Sequence, residues 1–289
     1  MPSAPSRGRN VTVSRQYLID EKRVTMKKSI FIPAIYIMLS MLFLFAACSS
    51  APKKEEAPHE MTVRTLEDFF VRCEQDVNRA AKVVLDNDII KNLTHLKMMD
   101  GGGRHYYLLE RESISAMISA VTVGVYADYV LINKDGDIIY TRQNDDIFGK
   151  NVRTSLAKTP LKACYENRDV PVFFHDVTTL NEFDGKYYIL VSTKVKGGDT
   201  VPGIIILQFD VEKLRSVLDM KTDIIGFDGL YRLSGKNVAP LTPYEGYGSI
   251  GTEKLKMLNQ YAVTLPSGSP VLCRYFSHSS IEWILVKGN

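Results

Sequence analysis

From Met61 to about Lys97 the apolar residues return every three or four positions: Leu66, Phe69, Phe70, Cys73, Val77, Ala80, Ala81 and Val84, with Glu67, Arg72, Asp76 and Arg79 between them. That period marks one face of a helix and predicts a single long amphipathic helix over the stretch. Asp100 and the three glycines Gly101, Gly102 and Gly103 stop it, because glycine accepts the left-handed backbone on which helices end. A phosphate-cradling glycine loop is the sharper alternative, but no strand precedes these glycines and no Gly-Lys-Ser/Thr follows. Glu110 to Val123 reads as a second, shorter helix.

The period then changes from helical to alternating. Tyr129 to Ile132 and Asp137 to Arg142 flank Asn133-Lys134-Asp135-Gly136, whose Asp-Gly suits the positive φ of a hairpin turn. A loop around Gly149 and a short helix over Ser155 to Glu166 come next. Three strand-like runs follow, at Val170 to His175, Lys186 to Val195 and Val201 to Phe209, the last two joined across Lys196-Gly197-Gly198-Asp199. Asp210 is placed to cap a helix running to Asp219. A second, smaller unit starts near Thr222, with strands expected at Asp228 to Ser234, Tyr261 to Leu265, Ser269 to Ser277 and Ile281 to Lys287, and a short helix at Thr252 to Gln260.

Charge changes the picture at the N-terminus. The chain carries a formal +3, but residues 1 to 47 hold seven of its 36 Lys and Arg and two of its 33 Asp and Glu, which leaves 29 minus 31, or −2, for the rest. A near-neutral body with no cationic cluster gives no electrostatic reason for nucleic-acid binding. Met26, Lys27 and Lys28 open a basic segment, and Ile30 to Ala47 is an uncharged apolar run ending in Phe45-Ala46-Ala47-Cys48. This is the order of a secretory signal, and its end resembles a bacterial lipobox, in which Cys48 is lipidated and becomes the new N-terminus. An uncleaved membrane helix is the other reading, since the run is just long enough to span a bilayer. Residues 1 to 25 are read as a non-native or disordered extension, 26 to 47 as the signal, and 48 to 60, which include Ser49-Ser-Ala-Pro-Lys-Lys-Glu-Glu-Ala-Pro58, as a flexible tether. Cys73, Cys164 and Cys273 are too few and too scattered for a disulfide framework and are expected to act as small buried hydrophobes.

Tyr129-Val-Leu-Ile-Asn-Lys-Asp-Gly-Asp-Ile-Ile-Tyr-Thr141, followed by Ile147-Phe-Gly-Lys-Asn-Val152, resembles the strand, hairpin and loop that open the sensing module of Cache domains. Tyr187-Tyr-Ile-Leu-Val-Ser-Thr-Lys-Val195 and Val201-Pro-Gly-Ile-Ile-Ile-Leu-Gln-Phe-Asp210 resemble the hairpin that closes it, and Cys273-Arg-Tyr-Phe with Trp283-Ile-Leu-Val resembles the last hairpin of a second module. The resemblance, to double-Cache extracytoplasmic sensors, implies an α+β fold. A long N-terminal helix would precede two PAS-like antiparallel-sheet modules, residues 61 to 220 and a smaller one over 221 to 289. It also implies a small-molecule pocket in the first module. No segment after the second module reads as a helix returning across the membrane, so a signal is expected to pass through a partner protein.

The candidate lining follows from strand alternation and the resemblance together. Alternation puts Ile138, Tyr140 and Arg142 on one face of their strand and Ile139 and Thr141 on the other. Arg142 is a candidate clamp for a carboxylate and Tyr140 a lid over it; the plain alternative is a solvated arginine and a core tyrosine. Asp176 falls where amino-acid-binding members of the family place an acid for the ligand's ammonium group. Their Tyr-x-x-Arg-x-Trp motif is absent, the only tryptophan being Trp283. Tyr126, Tyr129, Phe174, Tyr188 and Ser192 complete the candidate set, although aromatics on a pleated surface more often simply pack. The five histidines show no metal-ligand spacing, no cofactor fingerprint is present, and Ser277-His278-Ser279-Ser280 reads as a hairpin turn rather than a hydrolase site. The expectation is a non-enzymatic lipoprotein, anchored through Cys48 and facing the periplasm or cell exterior, that binds an organic acid, an amine or a similar ligand. It would work with an envelope or transmembrane signalling protein. The alternative is a structural or interaction lipoprotein without a ligand, and an envelope hydrolase is the third.

Overall fold

A computed structural model describes residues 59–97, 103–180, 186–197, 200–218 and 221–288. The signal, Cys48, the tether, Gly101, Gly102 and the Gly198-Asp199 turn lie outside the described residues. Among the described residues no helix is long and apolar enough to cross a membrane.

The helical period of the sequence becomes α1 (Glu60–Asp86), which buries Leu66, Phe69, Phe70, Cys73, Val77, Ala80, Ala81 and Val84 along one face. The helix does not run on to Lys97 unbroken. It ends where Asp88 takes φ +51°, a left-handed conformation that Asn and Asp tolerate better than most residues, and restarts as α2 (Ile89–Lys97). α3 (Gly103–Val121) follows and is longer than the expected segment from Glu110.

Two five-stranded antiparallel sheets then repeat one topology. In the first, β1 (Asp128–Asn133), β2 (Ile138–Thr141), β3 (Phe173–Thr178), β4 (Tyr188–Gly197) and β5 (Thr200–Asp210) are ordered β2-β1-β5-β4-β3. In the second, β6 (Thr222–Gly226), β7 (Tyr231–Ser234), β8 (Gln260–Thr264), β9 (Pro270–His278) and β10 (Ile281–Gly288) are ordered β7-β6-β10-β9-β8, the same path strand for strand. This is the α+β, two-sheet PAS-like arrangement that the resemblance implies. The second sheet is nevertheless as wide as the first. Its module is smaller in helix, with α5 (Thr252–Leu258) and a single 3₁₀ turn, and β6 is a strand beyond those expected from sequence, which began at Asp228.

Both faces of the first sheet are covered, so β1 and β2 are buried at every position. One face, with Leu131, Ile139, Ile205 and Leu207, packs on α1 to α3. The other, with Val130, Ile132, Ile138, Leu190, Ile204 and Ile206, packs on α4 (Pro160–Glu166) and the loop before it through Val152, Leu161, Cys164 and Tyr165. β5 comes so close to β1 that a Cβ on Gly203 would stand 2.1 Å from the Ile132 carbonyl oxygen, and only glycine fits there. Cys73, Cys164 and Cys273 are free and buried, and burial pushes each thiol up to about 12.

α1 holds the two sheets together. Its Phe70 ring lies 5.2 Å from Phe174 of β3, 5.8 Å from Phe276 of β9 and 5.4 Å from Trp283 of β10. Around that node a polar bolt joins the modules: Asp176 of β3 accepts from Arg232 Nε of β7 at 2.6 Å and from the Trp283 indole N–H at 2.8 Å. The Ser280 hydroxyl of the β9–β10 turn donates to the Phe174 carbonyl at 2.5 Å, so the turn itself is part of the joint.

Candidate ligand-binding site

The eight residues nominated from sequence do not meet in one cavity. Tyr126, Tyr129, Tyr140 and Phe174 face the helices. Tyr126 OH donates to Asp76 Oδ2 at 2.9 Å, Tyr129 OH lies 3.1 Å from Ser119 Oγ, and Tyr140 OH lies 2.6 Å from Ser115 Oγ. Tyr188 and Ser192 are on the opposite face, packed with α4, and Ser192 Oγ donates to the Phe173 carbonyl. Strict alternation fails in β2 because of a bulge: Tyr140 pairs with Leu131, while Ile138, not Ile139, pairs with Ile132. The extra residue turns Tyr140 away from Ile138. Arg142 lies at the strand end, half-buried, its guanidinium 5.4 Å from the Tyr129 ring centroid. Asp176 is committed to the bolt between the modules.

The face of the first sheet under α4 is filled among the described residues. Val130, Ile132, Ile138, Leu190, Ile204 and Ile206 are all solvent-free beneath α4. Apolar burial of this kind stabilises the module, and the polar groups beside it are engaged within the protein: the Ser192 hydroxyl with the Phe173 carbonyl and the Tyr165 hydroxyl with the Lys134 carbonyl.

A small cavity of about 200 Å³ lies beside Asp76, Tyr126 and Phe209. Its polar floor is already satisfied. Asp76 accepts from the backbone N–H of Val123 at 3.0 Å and of Gly124 at 2.7 Å, from Tyr126 OH, and from Arg79 Nη2 at 2.5 Å. Burial works to raise the Asp76 pKa, but these four donors outweigh it and hold the carboxyl below its ordinary value.

A second, wider opening is different in kind. A cleft of about 690 Å³ lies on the second sheet, on the face away from α1, within the range of small-molecule sites. β6 brings Asp223 to it, 5% exposed, with Oδ1 accepting from Ser234 Oγ of β7 at 2.6 Å. β7 brings Tyr231, and the loop after β7 folds back to bring Tyr244, the two rings meeting edge to face at 5.3 Å. That loop is fixed on both sides of Tyr231, whose N–H donates to the Thr242 carbonyl while its own carbonyl accepts from Leu241 N–H. Leu241 takes φ +61°, an uncommon conformation for a bulky residue and one often found where a loop builds a site.

Electrostatics singles out the floor of this cleft. Burial first, then the Asp223 charge, pushes the Tyr231 phenol up to about 12, and the same two causes raise Tyr244. Both therefore stand as O–H groups at neutral pH. Neither hydroxyl, nor Asp223 Oδ2, has a hydrogen-bond partner among the described residues, although each belongs to a residue lining the cleft. Lys221, Lys236 and Glu245 stand exposed at its rim.

The sequence reading missed Asp223, Tyr231 and Tyr244. The one available signal was a lone acid in the apolar run Thr222-Asp-Ile-Ile-Gly226. Ser277-His278-Ser279-Ser280 is the turn it was expected to be: Ser279 takes φ +52°, and His278 Nε2 lies 3.0 Å from Glu74 Oε1 with its ring stacked on Phe70.

No family model and no curated protein matches the chain. Solved structures do. The ligand-binding domain of the Pseudomonas fluorescens chemoreceptor CtaA in complex with L-alanine superposes over 80% of this chain and 93% of its own, with a TM-score of 0.52 and 12% identity. The ligand-binding domain of the Campylobacter jejuni chemoreceptor Tlp3 in complex with L-valine covers 84% of this chain and 95% of its own, with a TM-score of 0.51 and 12% identity. An extracellular ligand binding receptor from Desulfohalobium retbaense covers 78% of this chain over 38% of its own, with a TM-score of 0.52 and 10% identity. At such identities the likeness is one of fold: this chain has the double-Cache fold of chemoreceptor ligand-binding domains.

Proposed function

We propose that this protein is an extracytoplasmic sensory protein, held to the membrane by lipid on Cys48, that takes a small molecule into the cleft of its second module and acts through a partner protein. The observation that carries this reading is the cleft itself. It has the volume of a metabolite site and a floor that presents the Asp223 carboxylate and the hydroxyls of Tyr231 and Tyr244, on a fold shared with chemoreceptor ligand-binding domains. We place the ligand on the second sheet rather than in the first module because the first sheet's face under α4 is filled with apolar side chains.

A thermal-shift screen of the full chain tests the reading, with amino acids first because L-alanine and L-valine are bound by the structural neighbours, then amines, organic acids, nucleobases and sugars. A ligand at one hundred times its Kd adds about 2.7 kcal/mol to folding, which for a domain of this size raises Tm by roughly 5–10 °C. No shift from any compound would end the ligand-binding reading. The anchor is tested separately: Cys48→Ala is expected to move the protein from the membrane to the soluble fraction, and unchanged partitioning would remove the lipid from the account.

A second reading, an envelope interaction protein without a ligand, is favoured by one observation. Val123 and Val125 lie side by side on the surface, 69% and 67% exposed, where the α3–β1 segment crosses α1. A silent screen would shift the case to that apolar patch.

A further inference from the structure

The cleft can be given a ligand chemistry, which rests on the sensory reading above and refines it. Four charged side chains line it, two of each sign, and their surroundings decide which matters most. Lys221, Lys236 and Glu245 are exposed, so water and salt weaken their fields. Asp223 lies in the floor with almost no solvent, where the effective dielectric is lower and a charge acts more strongly on whatever enters. Ser234 engages one of its oxygens, leaving Oδ2 as an acceptor. The phenol oxygens of Tyr231 and Tyr244 are acceptors as well, and their rings add faces that attract cations. Acceptors, π-faces and one poorly solvated negative charge form a receptor for a positively charged nitrogen.

We infer that the second-module cleft recognises a protonated amino group, seated on Asp223 between Tyr231 and Tyr244, with the exposed Lys236 at the mouth receiving any acidic group the same molecule carries. The ligand class is thus a small organic ammonium compound, free or zwitterionic, and a purely anionic metabolite is excluded. Asp223, Tyr231 and Tyr244 are the specificity-determining residues.

Calorimetric titration of the full chain tests this with a matched set, n-butylamine, butyrate, 4-aminobutyrate and 4-acetamidobutyrate, together with whichever compound gives the largest thermal shift in the wider screen. Binding compounds are expected to carry a cationic nitrogen. Asp223→Asn keeps an oxygen for Ser234 and the β6–β7 register but removes the charge, and it is expected to weaken binding by about tenfold or more. Lys236→Ala is expected to weaken 4-aminobutyrate and leave n-butylamine unchanged. If Asp223→Asn fails to fold, Tyr244→Phe, which keeps the ring and removes only the hydroxyl, is read instead and is expected to weaken binding by about threefold or more. A compound without a cationic nitrogen that binds equally to wild type and Asp223→Asn would overturn the ammonium assignment and leave the sensory reading standing. Absence of binding by every compound in both sets would overturn both.

Discussion

Phe70→Ala is expected to lower the stability of the folded protein by about 3–5 kcal/mol, the range for removing a fully buried phenylalanine. Phe70 has no solvent exposure, and its ring contacts Phe174 in one module and Phe276, His278 and Trp283 in the other. The void left by alanine would therefore open between two sheets. Neither can close it alone, because each is held in register by its own ladder and by the Asp176–Arg232–Trp283 bolt. Little relaxation means a cost near the upper end of the range. Urea unfolding followed by circular dichroism reads the effect as a lower midpoint. Equal slopes in wild type and variant would show that one cooperative unit has been weakened; a second transition would show that Phe70 is what makes the modules unfold together. A loss under about 1 kcal/mol would mean that the node does not bear on stability and that the polar bolt carries the joint.

Phe70 was legible as a core position from the sequence, and the reason shows where such reading stops. Its neighbours at three- and four-residue steps are apolar, so the buried stripe of α1 follows from local period alone. What the stripe covers does not: Phe69 meets Phe209, and Phe70 meets Phe174, Phe276 and Trp283, all more than a hundred positions away, and period carries no information about which ones. The hairpin at Asn133–Gly136 was legible for the same local reason, Gly136 taking the φ +90° that its turn requires. The bulge in β2 was not, because Asp137-Ile-Ile-Tyr-Thr141 alternates as well with an extra residue as without one. That single residue sent Tyr140 to the helix face, away from Ile138. Asp176 entered the candidate set as an acid for a ligand's ammonium group, and sequence could not show that it pairs with Arg232, 56 positions later in another sheet. β6 was lost because Thr222-Asp-Ile-Ile-Gly226 is short, and a buried aspartate in a strand is the exception that average burial argues against. The cleft was lost with it.

Asp76→Ala is expected to cost about 3–5 kcal/mol at neutral pH, and the part of that difference that depends on the carboxylate charge is expected to disappear in acid. The variant leaves three buried or part-buried donors without an acceptor, the N–H groups of Val123 and Gly124 and the hydroxyl of Tyr126, each worth roughly 1–3 kcal/mol when unmet, less whatever water can reach them. These donors belong to the segment that leads from α3 into β1. Losing them frees that segment from α1 and with it the lead into the first sheet. The pH dependence follows from the direction of the Asp76 shift. Its folded pKa is depressed, burial being outweighed by Val123, Gly124, Arg79 and Tyr126, while in the unfolded chain it titrates near the ordinary aspartate value of about 3.9. The stabilisation is therefore complete above that unfolded value and is lost as pH falls through the lower folded one. Urea midpoints for wild type and Asp76→Ala should differ most at pH 7 and draw together as pH falls through the depressed folded value. A difference that persists undiminished in acid would show that alanine costs through lost packing rather than lost charge, and Asp76→Asn separates the two, since it fills the space but sets an amide where a carboxylate was.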